Sequence, residues 1–280
     1  SATLRRSGFR QILAKDTFVH HFGGVTLNEV RTTHGNYKTI TEMRPVFQHK
    51  WGIDPWTSRG HLVFLEQILK DFSIGETPSR VLFIEPMFGE GLLTVRNYFR
   101  RLQTSVIIDA IVTREQYMME AAYMADSVIR LTSLDHLPDR VNGTYDMVIL
   151  GAFLNVVPIS DIISFFKETY GLLNAKGVLY VSLLNYNSFE HVMENLPNDV
   201  PHLIYDSILP LNGERVFPVP RLVHALKKEF SNKSVWVGYG VQSHYFGDIS
   251  LFEQTANEIL GTSDDLHYLL SGDMVALCIR

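Results

Sequence analysis

"VLFIEPMFGEGLLTV", residues 81–95, sets four apolar residues before an acid, turns over two glycines and runs on with helical periodicity. The first four residues do not alternate, which marks a strand covered on both faces. The stretch reads as buried strand, glycine turn and helix start. In open parallel sheets, ligands bind beyond the carboxyl ends of the strands, where a glycine turn lets backbone and ligand approach closely. Glu85, Met87, Gly89 and Gly91 stand at such an end. The same strand-turn-helix is also an ordinary packing device, so its neighbours carry much of the reading.

Working outward, the regular pattern runs from residue 60 to the end. Helix "RGHLVFLEQILKDF" precedes strand "RVLFIE", helix "GLLTVRNYFRRL", strand "SVIIDAIV", helix "REQYMMEAAYMA" and strand "SVIRL". Strand "YDMVILGA", helix "ISDIISFFKETYGLL", turn "NAKG" and strand "VLYVSLL" follow, then helix "PRLVHALKKEF", strand "SVWVGYG" and a last strand "DMVALCI". Unalternating Val, Ile and Leu runs separated by helices predict an α/β fold: a Rossmann-like, doubly wound, mostly parallel sheet of seven strands with helices on both faces. The last strand, ending near Cys278, is expected to run antiparallel. Residues 186–217, rich in Asn, Pro and Tyr, interrupt the alternation and read as an insertion lying over the sheet's edge.

Composition narrows the function classes. The chain has 280 residues, 46% of them hydrophobic, and a formal net charge of −5. Its basic residues are scattered apart from pairs such as Arg100-Arg101 and Lys227-Lys228, which leaves no electrostatic footprint for nucleic acid. No apolar run reaches the roughly 20 residues of a membrane span. The single cysteine, Cys278, allows no internal disulfide and reads as a core thiol, so a reducing, cytoplasmic setting is expected. His191, His202 and His224 show no metal-ligand spacing, and no metal site is expected. Small-molecule or glycan partners fit this composition.

An acid about 20 residues past a glycine loop commonly takes ribose hydroxyls, and Asp109 stands near that distance. Four stretches then converge on a known family. "VLFIEPMFGEG" resembles the acidic strand end and E-x-G-x-G-x-G loop of the class I S-adenosylmethionine-dependent methyltransferases, and "TREQYMMEAA" the helix after their second strand. "YDMVILGAFLNVVP" resembles their fourth strand, and "LLNAKGVLYVSLL" their L-x-P-G-G turn and fifth strand. The resemblance covers residues 60–280 and implies S-adenosylmethionine as cofactor. It places Met87 where the family has its first glycine, Ile111 at the ribose acid when the helix start is matched, and Ser133 at the adenine acid, with Asp135 two places on. Counting from the loop puts Asp109 in the ribose role instead. If the loop receives the cofactor, Glu85, Gly89 and Gly91 form its floor, and Met87 folds outward on a wider turn or a conventional backbone. Asn155 stands where many members carry a substrate-facing residue, and it reads equally as a loop residue capping the following turn. Tyr186, Asn187, His202 and Tyr205 of the insertion could supply an acceptor lid. No catalytic side chain is singled out, since methyl transfer requires mainly orientation of nucleophile and sulfonium.

Residues 1–55 differ in character and read as an arm, with residues 56–280 as the methyltransferase-like domain. "RRSGFRQILAKDTFVHHFGGVTL" followed by "FQHKWGI" resembles the carboxyl end of the nucleotide-sugar-dependent family 2 glycosyltransferases. There a histidine near the metal and diphosphate would correspond to His20 or His21. The resemblance implies a longer polypeptide in which a glycosyltransferase domain is covalently joined to a domain that methylates a sugar or glycan. The departures at Met87, Ile111 and Ser133 support an alternative, a non-catalytic methyltransferase-like module that binds glycan or a partner chain.

Overall fold

The computed structural model describes residues 7–8, 38–52, 62, 64–72, 78–151, 162–184, 219–241 and 271–280. Its contacts divide the chain into two units, Ser1–Ser58 and Arg59–Arg280. In the first, helix α1 spans Lys38–Trp51. Gly52, with φ +67°, ends it by returning its N–H to the Gln48 carbonyl at 2.8 Å. A glycine adopts that left-handed conformation without the cost of a β-carbon. The exposed residues of α1 include Gln48, His49 and Lys50 together with Met43 and Val46.

In the second unit the described residues form one seven-stranded sheet. Helix α2 (Leu65–Lys70) leads to β1 (Ser79–Ile84), α3 (Glu90–Arg101) and β2 (Val106–Val112). A 3-10 turn, Glu115–Tyr117, opens α4 (Met118–Met124), followed by β3 (Ser127–Arg130), β4 (Tyr145–Leu150), α5 (Ile162–Gly171) and β5 (Leu173–Leu184). Helix α6 (Val219–Glu229), β6 (Val235–Val241) and β7 (Ser271–Ile279) complete it. The strand order is β3-β2-β1-β4-β5-β7-β6. β1 pairs in parallel with β2 and β4, β2 with β3, and β4 with β5, while β7 runs antiparallel to both β5 and β6. The mostly parallel sheet and the reversed last strand therefore stand as the sequence reading has them.

Burial explains why the strands do not alternate. Val81, Leu82, Phe83 and Ile84 are all buried, as are Met147, Val148, Ile149 and Leu150, so both faces of the central strands are covered. On one face, Leu65, Ile68 and Leu69 of α2 and Leu92, Val95, Tyr98 and Phe99 of α3 close over Val81, Phe83, Ile108, Met147 and Tyr180. The α3 set recurs at helical spacing, with Glu90 in the first turn and Arg100 and Arg101 in the last, matching the helix dipole. Cys278 lies in the same core with its thiol pushed up by burial. His224, on α6, is exposed.

Two local expectations change. The helix expected over residues 59–72 is described only as Leu65–Lys70. The turn "NAKG" lies inside β5: its pairing with β4 jumps from Tyr145↔Leu173 to Met147↔Val178, so residues 174–177 bulge out of the ladder. Among the described residues no helix is long and apolar enough to cross a membrane, and no group of His, Cys, Asp or Glu is placed to hold a metal ion.

Candidate active site

The opening stretch folds as strand, turn and helix, and its turn carries three left-handed residues. Glu85 has φ +53°, Met87 φ +48° and Gly89 φ +79°. Gly89 caps α3, receiving the Leu93 N–H at 3.0 Å and donating its own to the Pro86 carbonyl at 2.8 Å. Met87 departs from both parts of its expectation. It occupies the positive-φ conformation that disfavours a β-carbon, and it is buried rather than folded outward. Burial of its apolar side chain offsets the backbone cost.

Gly89 is required by its left-handed backbone and Gly91 by packing. A β-carbon on Gly89 would lie 2.1 Å from Met124 Cε. One on Gly91 would lie 2.2 Å from Leu62 Cδ1 and 2.4 Å from Phe83 Cζ. The bare Cα of Gly91 therefore lets α3 press against β1, and both glycines keep the turn at the carboxyl end of that strand.

Glu85 sits one residue past β1, and its N–H donates to the Ile111 carbonyl at 2.9 Å. Its carboxylate reaches across to the end of β2, where Oε1 accepts from both the backbone N–H and the hydroxyl of Thr113. Oε2 lies 3.8 Å from Arg114 Nε. Among the described residues, Oε2 and Arg114 Nε and Nη2 are buried without a hydrogen-bond partner. Burial pushes the Glu85 carboxyl above the usual carboxylate range, against the opposing pull of the Thr113 hydrogen bonds, the Arg114 charge and the Arg114 backbone N–H. The Arg114 guanidinium lies 4.8 Å over the Tyr117 ring, which meets Phe88 edge-on at 5.5 Å. Thr113, Arg114 and Tyr117 lie in the "TREQYMMEAA" stretch, where the sequence assigns none of them a role. The signal available for them was position alone, directly after the second strand.

Asp109 is placed elsewhere. It pairs with Leu82 and Ser127 in mid-strand, three residues before β2 ends. Its Oδ2 accepts from Arg80 at 3.0 Å and from the Tyr145 hydroxyl at 2.9 Å. Arg80 and Tyr145 stand at the amino-terminal starts of β1 and β4. The ribose role expected of Asp109 is thus corrected: its carboxylate is committed away from the ligand end of the sheet. Burial and the Asp109 hydrogen bond push the Tyr145 phenol upward. Ile111 is fully buried.

After β3, the Ser133 hydroxyl donates to Asp135 Oδ2 at 2.6 Å and accepts from the Asp135 N–H at 3.1 Å. Both follow the carboxyl end of β3, next in the sheet to β2, so the loops after β1, β2 and β3 share one side of the sheet. Asn155, Tyr186, Asn187, His202 and Tyr205, with His20, His21 and His191, lie outside the described residues.

No family model matches the chain, and no curated protein matches its sequence. Among solved structures, it is similar to a SAM dependent methyltransferase from Archaeoglobus fulgidus, with TM-score 0.51 and 12% identity over 84% of this chain and 97% of that one. It is also similar to the plantazolicin methyltransferase BamL in complex with a triazolic desmethylPZN analog and SAH, with TM-score 0.50 and 14% identity over 90% and 93% of the two chains. At these identities the likeness is one of fold.

Proposed function

We propose that the 56–280 domain is an S-adenosylmethionine-dependent methyltransferase acting on a sugar or glycan, within a polypeptide that also carries a family 2 glycosyltransferase. The observation that supports the cofactor is the Glu85 carboxylate, buried beside the glycine turn at the ends of β1 and β2 with one oxygen unpartnered. The fold is shared with methyltransferases, of which BamL binds SAH. The acceptor class rests on the "TFVHHFGG" segment and its resemblance to a sugar-transferring enzyme.

The residues present fit a hydroxylated nucleoside. Glu85 Oε2 offers an acceptor and Arg114 Nε and Nη2 offer donors, all desolvated and without a hydrogen-bond partner among the described residues, the two groups facing each other only as an ion pair at 3.8 Å. Ser133 and Asp135 supply further polar groups beyond β3. When bound, S-adenosylmethionine supplies a methyl group activated by its sulfonium. The chain's own task is to hold the acceptor in line and keep water out. Calorimetric titration of S-adenosylmethionine, followed by labelled-methyl transfer to oligosaccharides and peptides, tests both halves. Binding tighter than millimolar with label on the sugar supports the proposal. Binding with label only on peptide overturns the acceptor class, and no binding overturns the cofactor.

A second reading, a non-catalytic module that binds glycan or a partner chain, is favoured by the commitment of Asp109 to Arg80 and by protein atoms filling the space beside Gly89 and Gly91. The same titration separates the two, because only the enzyme requires cofactor binding.

A further inference from the structure

The carboxylate that the sequence lacks at the end of β2 is delivered there from β1. Glu85 is 1% exposed, and both Thr113 donors fix Oε1 over the first residue past β2. Oε2 then stands 3.8 Å from Arg114 Nε, beyond hydrogen-bond range, so Thr113 holds the carboxylate off the guanidinium. The two unpartnered nitrogens, Nε and Nη2, share one edge of the guanidinium, the edge that donates two parallel bonds. Tyr117 supports that plane from one side at 4.8 Å. One acceptor and two donors therefore lie side by side, desolvated, beyond the carboxyl ends of neighbouring parallel strands.

That inventory selects among ligand groups. A carboxylate or phosphate would fill the arginine edge, yet it brings no donor to Oε2 and sets a second negative charge against Glu85. An ammonium would serve Oε2 and be repelled by Arg114. A vicinal diol serves all three atoms: one hydroxyl donates to Oε2 and accepts from Nε–H, and the other accepts from Nη2–H. We propose that Glu85 and Arg114 together hold the ribose diol of the nucleoside cofactor, in the role that chain position assigns to Asp109 or Ile111. The proposal rests on the cofactor reading above and makes Arg114 a specificity-determining residue.

The same diol chemistry exists on a sugar acceptor, so the test separates the two sources. S-adenosylhomocysteine and its 2′-deoxy analogue are titrated into the full chain and into Arg114→Gln, Arg114→Lys and Glu85→Gln, with thermal melts confirming that each folds. Deleting the 2′-hydroxyl should weaken wild-type binding about tenfold to hundredfold, as expected for a hydrogen bond to a charged group. Arg114→Gln should weaken the parent ligand similarly, and Arg114→Lys, which keeps charge without the paired edge, should not restore it. In Arg114→Gln the 2′-deoxy analogue should lose little more, because the two changes remove the same contact. Parent ligand that binds wild type with equal affinity for all folded variants overturns the proposal and leaves the cofactor reading standing. Fully additive losses do the same. Insensitivity to the 2′-hydroxyl, with binding of a methyl glycoside abolished by Arg114→Gln, moves the pair to the acceptor and also overturns it. Absence of any wild-type binding removes the cofactor reading and this proposal together.

Discussion

On neighbouring strands of one sheet, Asp109 meets Arg80 at 3.0 Å and Tyr145 at 2.9 Å, while Glu85 faces Arg114 across 3.8 Å with three polar atoms unpartnered among the described residues. The first cluster lies toward the amino-terminal starts of β1 and β4, and the second at the carboxyl ends of β1 and β2. Both acids are buried, and both face an arginine. The difference lies in closure. A buried carboxylate whose bonds are completed by the protein steadies the fold, whereas one left incomplete at the ligand end of the sheet retains capacity for a guest.

Driving α3 off β1 would break the comparison most severely. Gly91→Val places methyl groups where even a β-carbon already meets Leu62 and Phe83. Its expected cost is about 3 kcal/mol by chemical denaturation, at the upper end for overpacking a core. Ligand binding at the carboxyl end should be lost with it. A variant of wild-type stability would mean that the helix and strand can separate freely.

Asp109→Ala should divide the two regions. It removes the acceptor shared by Arg80 and the Tyr145 hydroxyl, one contact half open to solvent and the other buried, for an expected loss of about 2 kcal/mol. Cofactor affinity should change less than twofold. A large loss of affinity with unchanged stability would return Asp109 to the ribose role.

The pH dependence sharpens the carboxyl-end side. With its carboxyl raised on folding, Glu85 binds a proton more tightly in the native state than in the unfolded chain. Its contribution to stability is fullest at low pH and declines as pH rises from the ordinary carboxylate range through the raised folded pKa. The slope from one proton does not exceed about 1.4 kcal/mol per pH unit. Glu85→Gln should remove that decline, measured as the difference in denaturation midpoint between the two proteins across acidic to neutral pH. Parallel profiles would show that Glu85 titrates normally.

What the sequence revealed followed from burial. Strand runs such as "VLFI" and "MVIL" lack alternation because both faces are covered, and α3 shows its period because one face packs on Phe83 and Val81. These are short-range, repeated signals. The site was less legible because its polar groups cross between strands. Glu85 was identifiable at the strand end, but that its carboxylate lies over Thr113 depends on the parallel register of β1 and β2. Asp109 looked well placed by counting, yet strand length and register put it opposite Leu82 and within reach of Arg80. Met87 looked incompatible with a tight turn, and the fold accepts the strained backbone while burying the side chain.

The smallest expected effect concerns a third carboxylate. Glu115 follows Arg114 directly and is the first acid after β2, so by chain position alone it competes with Glu85 for the ribose role. Its Oε2 instead accepts from Arg130 Nη2 at 2.8 Å, with both side chains more than half exposed. Water screens such a pair, and its worth is typically below 1 kcal/mol. Glu115→Gln should therefore change stability by no more than about 0.5 kcal/mol and leave the affinity for S-adenosylhomocysteine within twofold. Calorimetry beside Glu85→Gln makes the contrast direct: if the inner acid holds the diol, only Glu85→Gln weakens binding. If Glu115→Gln weakens it tenfold while Glu85→Gln does not, the ribose lies on the exposed side of Arg114, and the unpartnered atoms of the buried pair have another role.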